Sequence, residues 1–149
     1  MVDIKDSLKG FIGKGSRSDY RAGILALGDG RLTTAVACFS RALEKDPDYV
    51  EAMSGMGRAL VKEGKFEESL AWFDRGLAIK PDCVECLFNR GVALVYLGDV
   101  EEALATFNRV LEIDPRQSDA WDNKALCYKI LGEQTNAEKC LEVSQKLRK

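Results

Sequence analysis

Apolar and small residues of this chain recur with a period of 34 residues. The three prolines of the sequence, Pro47, Pro81 and Pro115, follow this spacing. Columns of glycine, phenylalanine and small residues follow it as well: Gly30, Gly64, Gly98 and Gly132; Gly23, Gly57 and Gly91, then Ala125; Phe39, Phe73 and Phe107, then Leu141; and Ala35, Ser69, Ala103 and Ala137. Agreement of several columns at one period indicates an internal structural repeat.

Each repeat predicts two helices joined at a glycine. An apolar run ends at a residue such as Gly98, and a polar residue such as Asp99 opens the next run, which is typical of one helix ending and another beginning. The second helix ends at an Asp-Pro or Lys-Pro step, because proline cannot continue a helix. A glycine inside the first helix, such as Gly91, costs about 1 kcal/mol relative to alanine. We therefore expect the paired helix to approach closely at that glycine.

These columns resemble the tetratricopeptide repeat, whose signature is a Trp-x-x-Leu-Gly-x-x-Tyr helix, an Ala-x-x-x-Phe helix and a terminal proline. The resemblance covers residues 16–149 and implies a single domain over 1–149 with repeats at 16–49, 50–83, 84–117 and 118–149. It implies an all-α fold, a right-handed α-α superhelix (solenoid) of four helix-turn-helix repeats. The last repeat lacks the proline and ends in a helix with one apolar stripe and a charged back, as expected of a capping helix.

Residues 1–15 lie outside the period and predict a short N-terminal cap segment. Ile4, Leu8, Phe11 and Ile12 suit one face of a short helix that starts at Asp3 and breaks at residues 13–15, which read Gly-Lys-Gly. We expect this segment to cover the exposed face of the first repeat. The alternative is an arm that docks on another copy of the chain.

Composition narrows the classes of partner. The chain is 46% hydrophobic and 31% charged with a formal net charge of -2, so it is expected to fold alone and to lack the positive field that recruits nucleic acid. No uncharged run approaches the roughly 20 residues of a membrane span, and no secretory signal pattern is seen at the N-terminus. The odd count of five cysteines does not suit a closed disulfide framework. A cytoplasmic protein with a protein or peptide partner is expected, without membrane or nucleic-acid binding.

An enzyme is not expected, and neither is a cofactor, a metal or a catalytic residue. The chain contains no histidine, the commonest general base and transition-metal ligand. Cys83 and Cys86 have the spacing of a redox or half-zinc motif near a predicted helix start. Cys86, however, shares a repeat column with Ser18, Ala52 and Ala120, so a structural role as a small buried side chain is preferred. A redox or metal role for the pair remains the alternative.

In proteins of the resembling family, the first helices of successive repeats line a concave groove with their second, fifth, ninth, twelfth and thirteenth positions. The resemblance therefore implies a protein-interaction scaffold or adaptor that binds a peptide or helical segment of a partner in this groove. Its expected groove residues are Tyr20, Ile24, Arg58, Lys62, Phe88, Val92, Tyr96, Asp122, Leu126 and Lys129. The apolar members would anchor a ligand and the charged ones would meet opposite charges. Two alternatives are that some of the apolar residues pack between repeats, and that the chain is a self-assembly (homo-oligomerisation) module.

One function found in the resembling family is not expected. Members that bind the Glu-Glu-Val-Asp tails of heat-shock chaperones carry a lysine and an asparagine at the fifth and ninth positions of one repeat, an asparagine in the next, and a lysine and an arginine in a third. Those positions here hold Tyr20 and Ile24, Ser54 and Arg58, and Phe88 and Val92. Because the lysines are missing, the sequence does not predict a receptor for chaperone tails.

Overall fold

A computed structural model describes the backbone of residues 4–149 and the side chains from residue 13 onward. Eight α-helices and no strand make up the regular structure of these described residues. They are α1 (Ile4–Gly28), α2 (Leu32–Lys45), α3 (Val50–Lys62), α4 (Phe66–Ile79), α5 (Val84–Leu97), α6 (Val100–Ile113), α7 (Ser118–Ile130) and α8 (Gln134–Leu147). Two helices in each 34-residue period confirm the prediction of helix pairs.

The helices form two compact units, α1–α4 up to Lys80 and α5–α8 from Pro81. In the first unit, α1 packs on α2, α2 on α3 and α3 on α4, and α1 also touches α3. The second unit repeats this order with α5, α6, α7 and α8, and α5 touches α7. In each unit the first helices of successive repeats are thus neighbours. A single domain over residues 1–149 stays a prediction.

The glycine at the end of each first helix has a left-handed backbone. Gly30, Gly64, Gly98 and Gly132 have φ between +74° and +84°. This conformation lets the next residue satisfy an orphan carbonyl of the helix, as when the Asp99 N–H donates to the Leu94 carbonyl at 2.9 Å. The break predicted at each of these glycines is confirmed.

The phenylalanine column packs against the glycine column, with no solvent exposure at Phe39, Phe73 or Phe107. A Cβ added at Gly91 would lie 2.7 Å from Cζ of Phe107, and one added at Gly23 would lie 2.6 Å from Cε1 of Phe39. The predicted close approach of the paired helices is confirmed. Phe39 also faces a second glycine that the repeat pattern did not predict, Gly55 of the next repeat, where an added Cβ would lie 2.5 Å from the ring.

The predicted helix break at residues 13–15 is wrong, because α1 continues through it from Ile4 to Gly28. Each glycine weakens a helix by only about 1 kcal/mol, and contacts with α2 hold this part of α1 in place. Ser16 is buried and donates to the Gly13 carbonyl at 3.1 Å. Asp19 pairs with Lys45 of α2 at 2.6 Å. The side chains of Ile4, Leu8, Phe11 and Ile12, and hence the cap they were expected to form, lie outside the described residues.

The last helix has the predicted capping pattern. Ala137, Cys140 and Ser144 of α8 are buried, and Leu141 and Leu147 on the same stripe are half-buried. Leu141 packs on the small cluster of Ala125, Ala137 and Cys140. The opposite face of α8 is polar and exposed, so this helix ends the second unit without presenting a further apolar surface.

Candidate functional site

In the first unit, the expected groove residues lie on α1 and α3, and the apolar ones take part in packing. Tyr20 is half-buried, with its ring centroid 5.2 Å from that of Tyr49 and 6.1 Å from that of Phe39. Ile24 packs against the same core. Tyr49 is the residue that precedes α3, the first helix of the second repeat, so Tyr20 packs where the first repeat meets the second.

The charged members of this face differ in exposure. Arg58 is half-buried on α3, whereas Lys62, at the end of that helix, is more accessible to solvent. Ser54, at the position equivalent to Tyr20, has no exposure at all. The residue at the fifth position is therefore part of the core in the second repeat, where it is Ser54. In the first repeat, where it is Tyr20, it is only partly accessible to solvent.

In the second unit, exposed apolar side chains lie at the expected groove positions of α5 and α7. Tyr96 is 66% exposed and Leu126 is 44% exposed. Ile130, at the position equivalent to Tyr96, is 53% exposed. Phe88 and Val92 of α5 are half-buried, and the Phe88 ring meets Phe107 edge-on at 5.8 Å. We call Tyr96, Leu126 and Ile130 the apolar face of the second unit.

Asp122, the expected acidic groove residue, forms an ion pair within the chain. The guanidinium of Arg148, at the end of α8, lies 2.5 Å from a carboxylate oxygen of Asp122 and 3.0 Å from one of Asp119. Burial raises the pKa of Asp122, but hydrogen bonds from Ser144 and Arg148 outweigh it and hold that pKa below the ordinary value. A basic ligand group would have to displace Arg148. Lys129, in contrast, is exposed and lies between Leu126 and Ile130 in the sequence of α7.

The structure also contains a surface cavity that sequence analysis did not predict. It has a volume of about 500 Å³ and is lined by charged residues of α1, the α2–α3 turn, the start of α3 and the residue after α4, among them Arg17, Asp46, Glu51 and Lys80. Arg17 and Glu51 both occupy the second position of their repeats. The shared repeat position of Arg17 and Glu51 was the only feature of the sequence that pointed to this cavity. The residues at the end of α4 join its lining only through the tertiary fold.

Cys83 and Cys86 lie together at the start of α5. Their Sγ atoms are 2.7 Å apart, and the Cys83 sulfur accepts a hydrogen bond from the Cys86 N–H at 3.3 Å. All five cysteines are present as thiols. Among the described side chains, no group of three or more potential ligands is placed to hold a metal ion. Along the helices that the structure describes, none has both the length and the apolar character needed to cross a bilayer.

Three models of the tetratricopeptide repeat match the sequence, at residues 20–83, 84–117 and 106–139. The chain belongs to the tetratricopeptide repeat family. The matches run continuously over residues 20–139, so they include the first helices on which the expected groove residues lie. The expected all-α helical-repeat fold is confirmed. No curated protein matches the sequence.

Several solved tetratricopeptide repeat proteins have a similar fold. TTC0263, a thermophilic member in Thermus thermophilus, is 25% identical over 89% of this chain and 74% of its own, with a TM-score of 0.81. YrrB, described as having an unusual peptide-binding site, is 24% identical over 89% of this chain and 68% of its own, with a TM-score of 0.76. The first tetratricopeptide repeat domain of Spaghetti (RPAP3), solved with the HSP90 peptide SRMEEVD, is 20% identical over 80% of this chain and 95% of its own, with a TM-score of 0.78.

Proposed function

We propose that this chain is a protein-interaction scaffold that binds a peptide or helical segment of a partner protein, with Tyr96 and Leu126 as its principal anchors. The observation that carries the proposal is the apolar face of the second unit, where three large apolar side chains remain exposed on first helices. Family membership supports the class of function, because YrrB and Spaghetti, with the same fold, are described with a peptide-binding site and a bound peptide.

Physical chemistry favours a ligand at this face. Full burial of a leucine-sized side chain contributes about 1.5 to 3 kcal/mol, so exposed anchors can supply much of the affinity of a short segment. Tyrosine adds a rigid ring and a hydroxyl group that can donate or accept a hydrogen bond, which is why it is enriched where binding energy concentrates. A partner segment therefore needs apolar side chains spaced so that one contacts Tyr96 on α5 and another contacts Leu126 on α7.

The charges near this face favour an acidic group in the partner. Lys129 lies on α7 between Leu126 and Ile130 in sequence and is exposed. The negative charge of Asp122 is already neutralised by its ion pair with Arg148. An apolar segment flanked by a carboxylate suits this arrangement, because the lysine would meet the acidic group while the anchors are buried. A chaperone tail is not the proposed ligand, because the lysines expected of a chaperone-tail receptor are missing from this sequence.

Affinity capture with matched variants tests the proposal. The tagged chain is used to capture partners from cells of its source, and the captured proteins are quantified by mass spectrometry. We expect the double variant Tyr96→Ala/Leu126→Ala to lose them. Ile113→Ala is the control, because Ile113 is 40% exposed but lies on α6, a second helix. Unfolding measurements on each variant establish that the chain still folds.

Two results would count against the proposal. The first is retention of all partners by the double variant. The second is sedimentation that shows concentration-dependent self-association of the wild-type chain and its loss in the double variant, since the same face would then serve self-assembly.

A further inference from the structure

Cys83 occupies a helix-capping position that its repeat equivalents fill without a side-chain bond. Tyr49, Cys83 and Gln117 are the residues that precede α3, α5 and α7, and their backbone angles are nearly equal. Of these three, Cys83 alone has a side chain that accepts a hydrogen bond from the helix, through the Cys86 N–H. The fold therefore tolerates tyrosine or glutamine at this position and does not require a sulfur there.

The same comparison applies to Cys86. Its equivalents are Ser18, Ala52 and Ala120; Cys86 and the two alanines are fully buried, whereas Ser18 is exposed. An alanine thus fills this site in two other repeats, and packing alone does not account for a second sulfur 2.7 Å from the first. A disulfide joins sulfurs about 2.05 Å apart, so the pair needs to close by less than about 1 Å.

We propose that Cys83 and Cys86 form a reversible dithiol–disulfide couple, oxidised by small disulfides of the glutathione type and reduced again by thiols. This inference goes beyond the proposed binding function and does not rest on it. It also departs from the structural role that the repeat column of Cys86 favoured. The closeness of the two sulfurs is the observation that favours the redox role.

The two cysteines have different parts in the reaction. Cys83 is partly exposed and Cys86 is fully buried, so the incoming disulfide reaches Cys83 first. The helix N-terminus favours a negative charge on Cys83. The Cys83 thiolate attacks one sulfur of the small disulfide and forms a mixed disulfide, and one small thiolate leaves. Cys86 then attacks Cys83 Sγ and expels the second small group, whose sulfur takes up the Cys86 proton and leaves as a thiol. In total, two cysteine thiols are oxidised and one small disulfide is reduced to two thiols.

The other three cysteines lack these features. Cys38, Cys127 and Cys140 are buried, and none has a second cysteine sulfur beside it among the contacts of the described residues. Burial raises the pKa of Cys127 to about 11 and also raises the pKa of Cys140. Because the thiolate is the nucleophile, these thiols should stay reduced under conditions that oxidise the pair.

Mass spectrometry of the full chain tests the proposal. The reduced protein is equilibrated anaerobically in buffers of increasing oxidised to reduced glutathione, quenched by alkylation, and analysed intact and after digestion. We expect the loss of two hydrogen atoms per chain, a disulfide mapped to Cys83 and Cys86, full reversal by excess thiol, and three other cysteines that remain alkylatable after denaturation.

Two variants taken from the repeat itself make the test specific. Cys86→Ala introduces the residue found at the equivalent positions, and it should trap a stable mixed disulfide of Cys83 with glutathione. Cys83→Gln introduces the residue at position 117, and it should gain neither a disulfide nor a glutathione adduct. Circular dichroism establishes that both variants fold. The proposal is overturned if the folded wild-type chain keeps both thiols in fully oxidised glutathione, or if Cys86 acquires glutathione in Cys83→Gln.

Discussion

The contact between Gly91 and Phe107 predicts that adding one methyl group will destabilise the chain, although it improves helix propensity. In Gly91→Ala the new Cβ would lie 2.7 Å from Cζ and 2.8 Å from Cε1 of Phe107. Carbon atoms in good contact are about 3.5 to 4.0 Å apart. Overpacking of a filled core costs about 1 to 3 kcal/mol, whereas replacing glycine by alanine in a helix gains about 1 kcal/mol. We expect a net loss of about 1 kcal/mol in the free energy of unfolding.

Gly13 provides a control for the propensity term. It lies inside α1, and an added Cβ would meet nothing within 4 Å. Gly13→Ala should therefore raise the free energy of unfolding by up to about 1 kcal/mol. Urea unfolding followed by far-ultraviolet circular dichroism measures both variants, and the difference of about 2 kcal/mol between them isolates the overpacking.

The fourth repeat supplies the compensating substitution. Its equivalents of Gly91 and Phe107 are Ala125 and Leu141, which pack in one cluster. Phe107→Leu alone should cost about 1 to 2 kcal/mol because it leaves a cavity. The double variant Gly91→Ala/Phe107→Leu should lose less than the sum of the single losses by about 1 kcal/mol. Additive losses, or a Gly91→Ala chain at least as stable as the wild type, would refute the role of the close contact.

The remaining predictions concern a turn and an ion pair. Gly98 has a φ of +84° and open space around it, so Gly98→Ala should cost about 1 kcal/mol through the backbone alone and Gly98→Asn less, as measured by urea unfolding. The Lys45 ammonium, opposed by burial and assisted by Arg41, holds the pKa of Asp19 below its ordinary value. The stability that Asp19 contributes is then complete above about pH 4 and is lost as the pH falls through the folded pKa. Asp19→Asn should therefore lower the melting temperature at pH 7 and to a smaller extent at pH 3, and an equal effect at both pH values would contradict the ion-pair explanation.

The repeat columns predicted the fold because each column reflects a physical requirement that recurs in every repeat, either a backbone conformation or a packing contact. Gly98 ends a helix for a backbone reason and Gly91 admits a ring for a steric one, and both reasons recur at the same period. Residues 13–15 lie before the first complete period, so no column was present to show that α1 continues through them. The role of Gly55 was not predicted because its contact with Phe39 crosses from one repeat to the next, and the columns compare equivalent positions only.

The binding face was harder to predict, because one column can serve different purposes in different repeats. The fifth position holds Tyr20 packed on Tyr49, Ser54 with no exposure, and Asp122 bound by Arg148. What decides each case is the neighbour that covers it, and a periodic pattern contains no information about that neighbour. The thirteenth position shows the converse, since the large side chains of Tyr96 and Ile130 both remain exposed. A column whose large apolar residues stay exposed is therefore the better guide to binding, and a comparison between repeats likewise singles out the sulfurs of Cys83 and Cys86, whose repeat equivalents do without them.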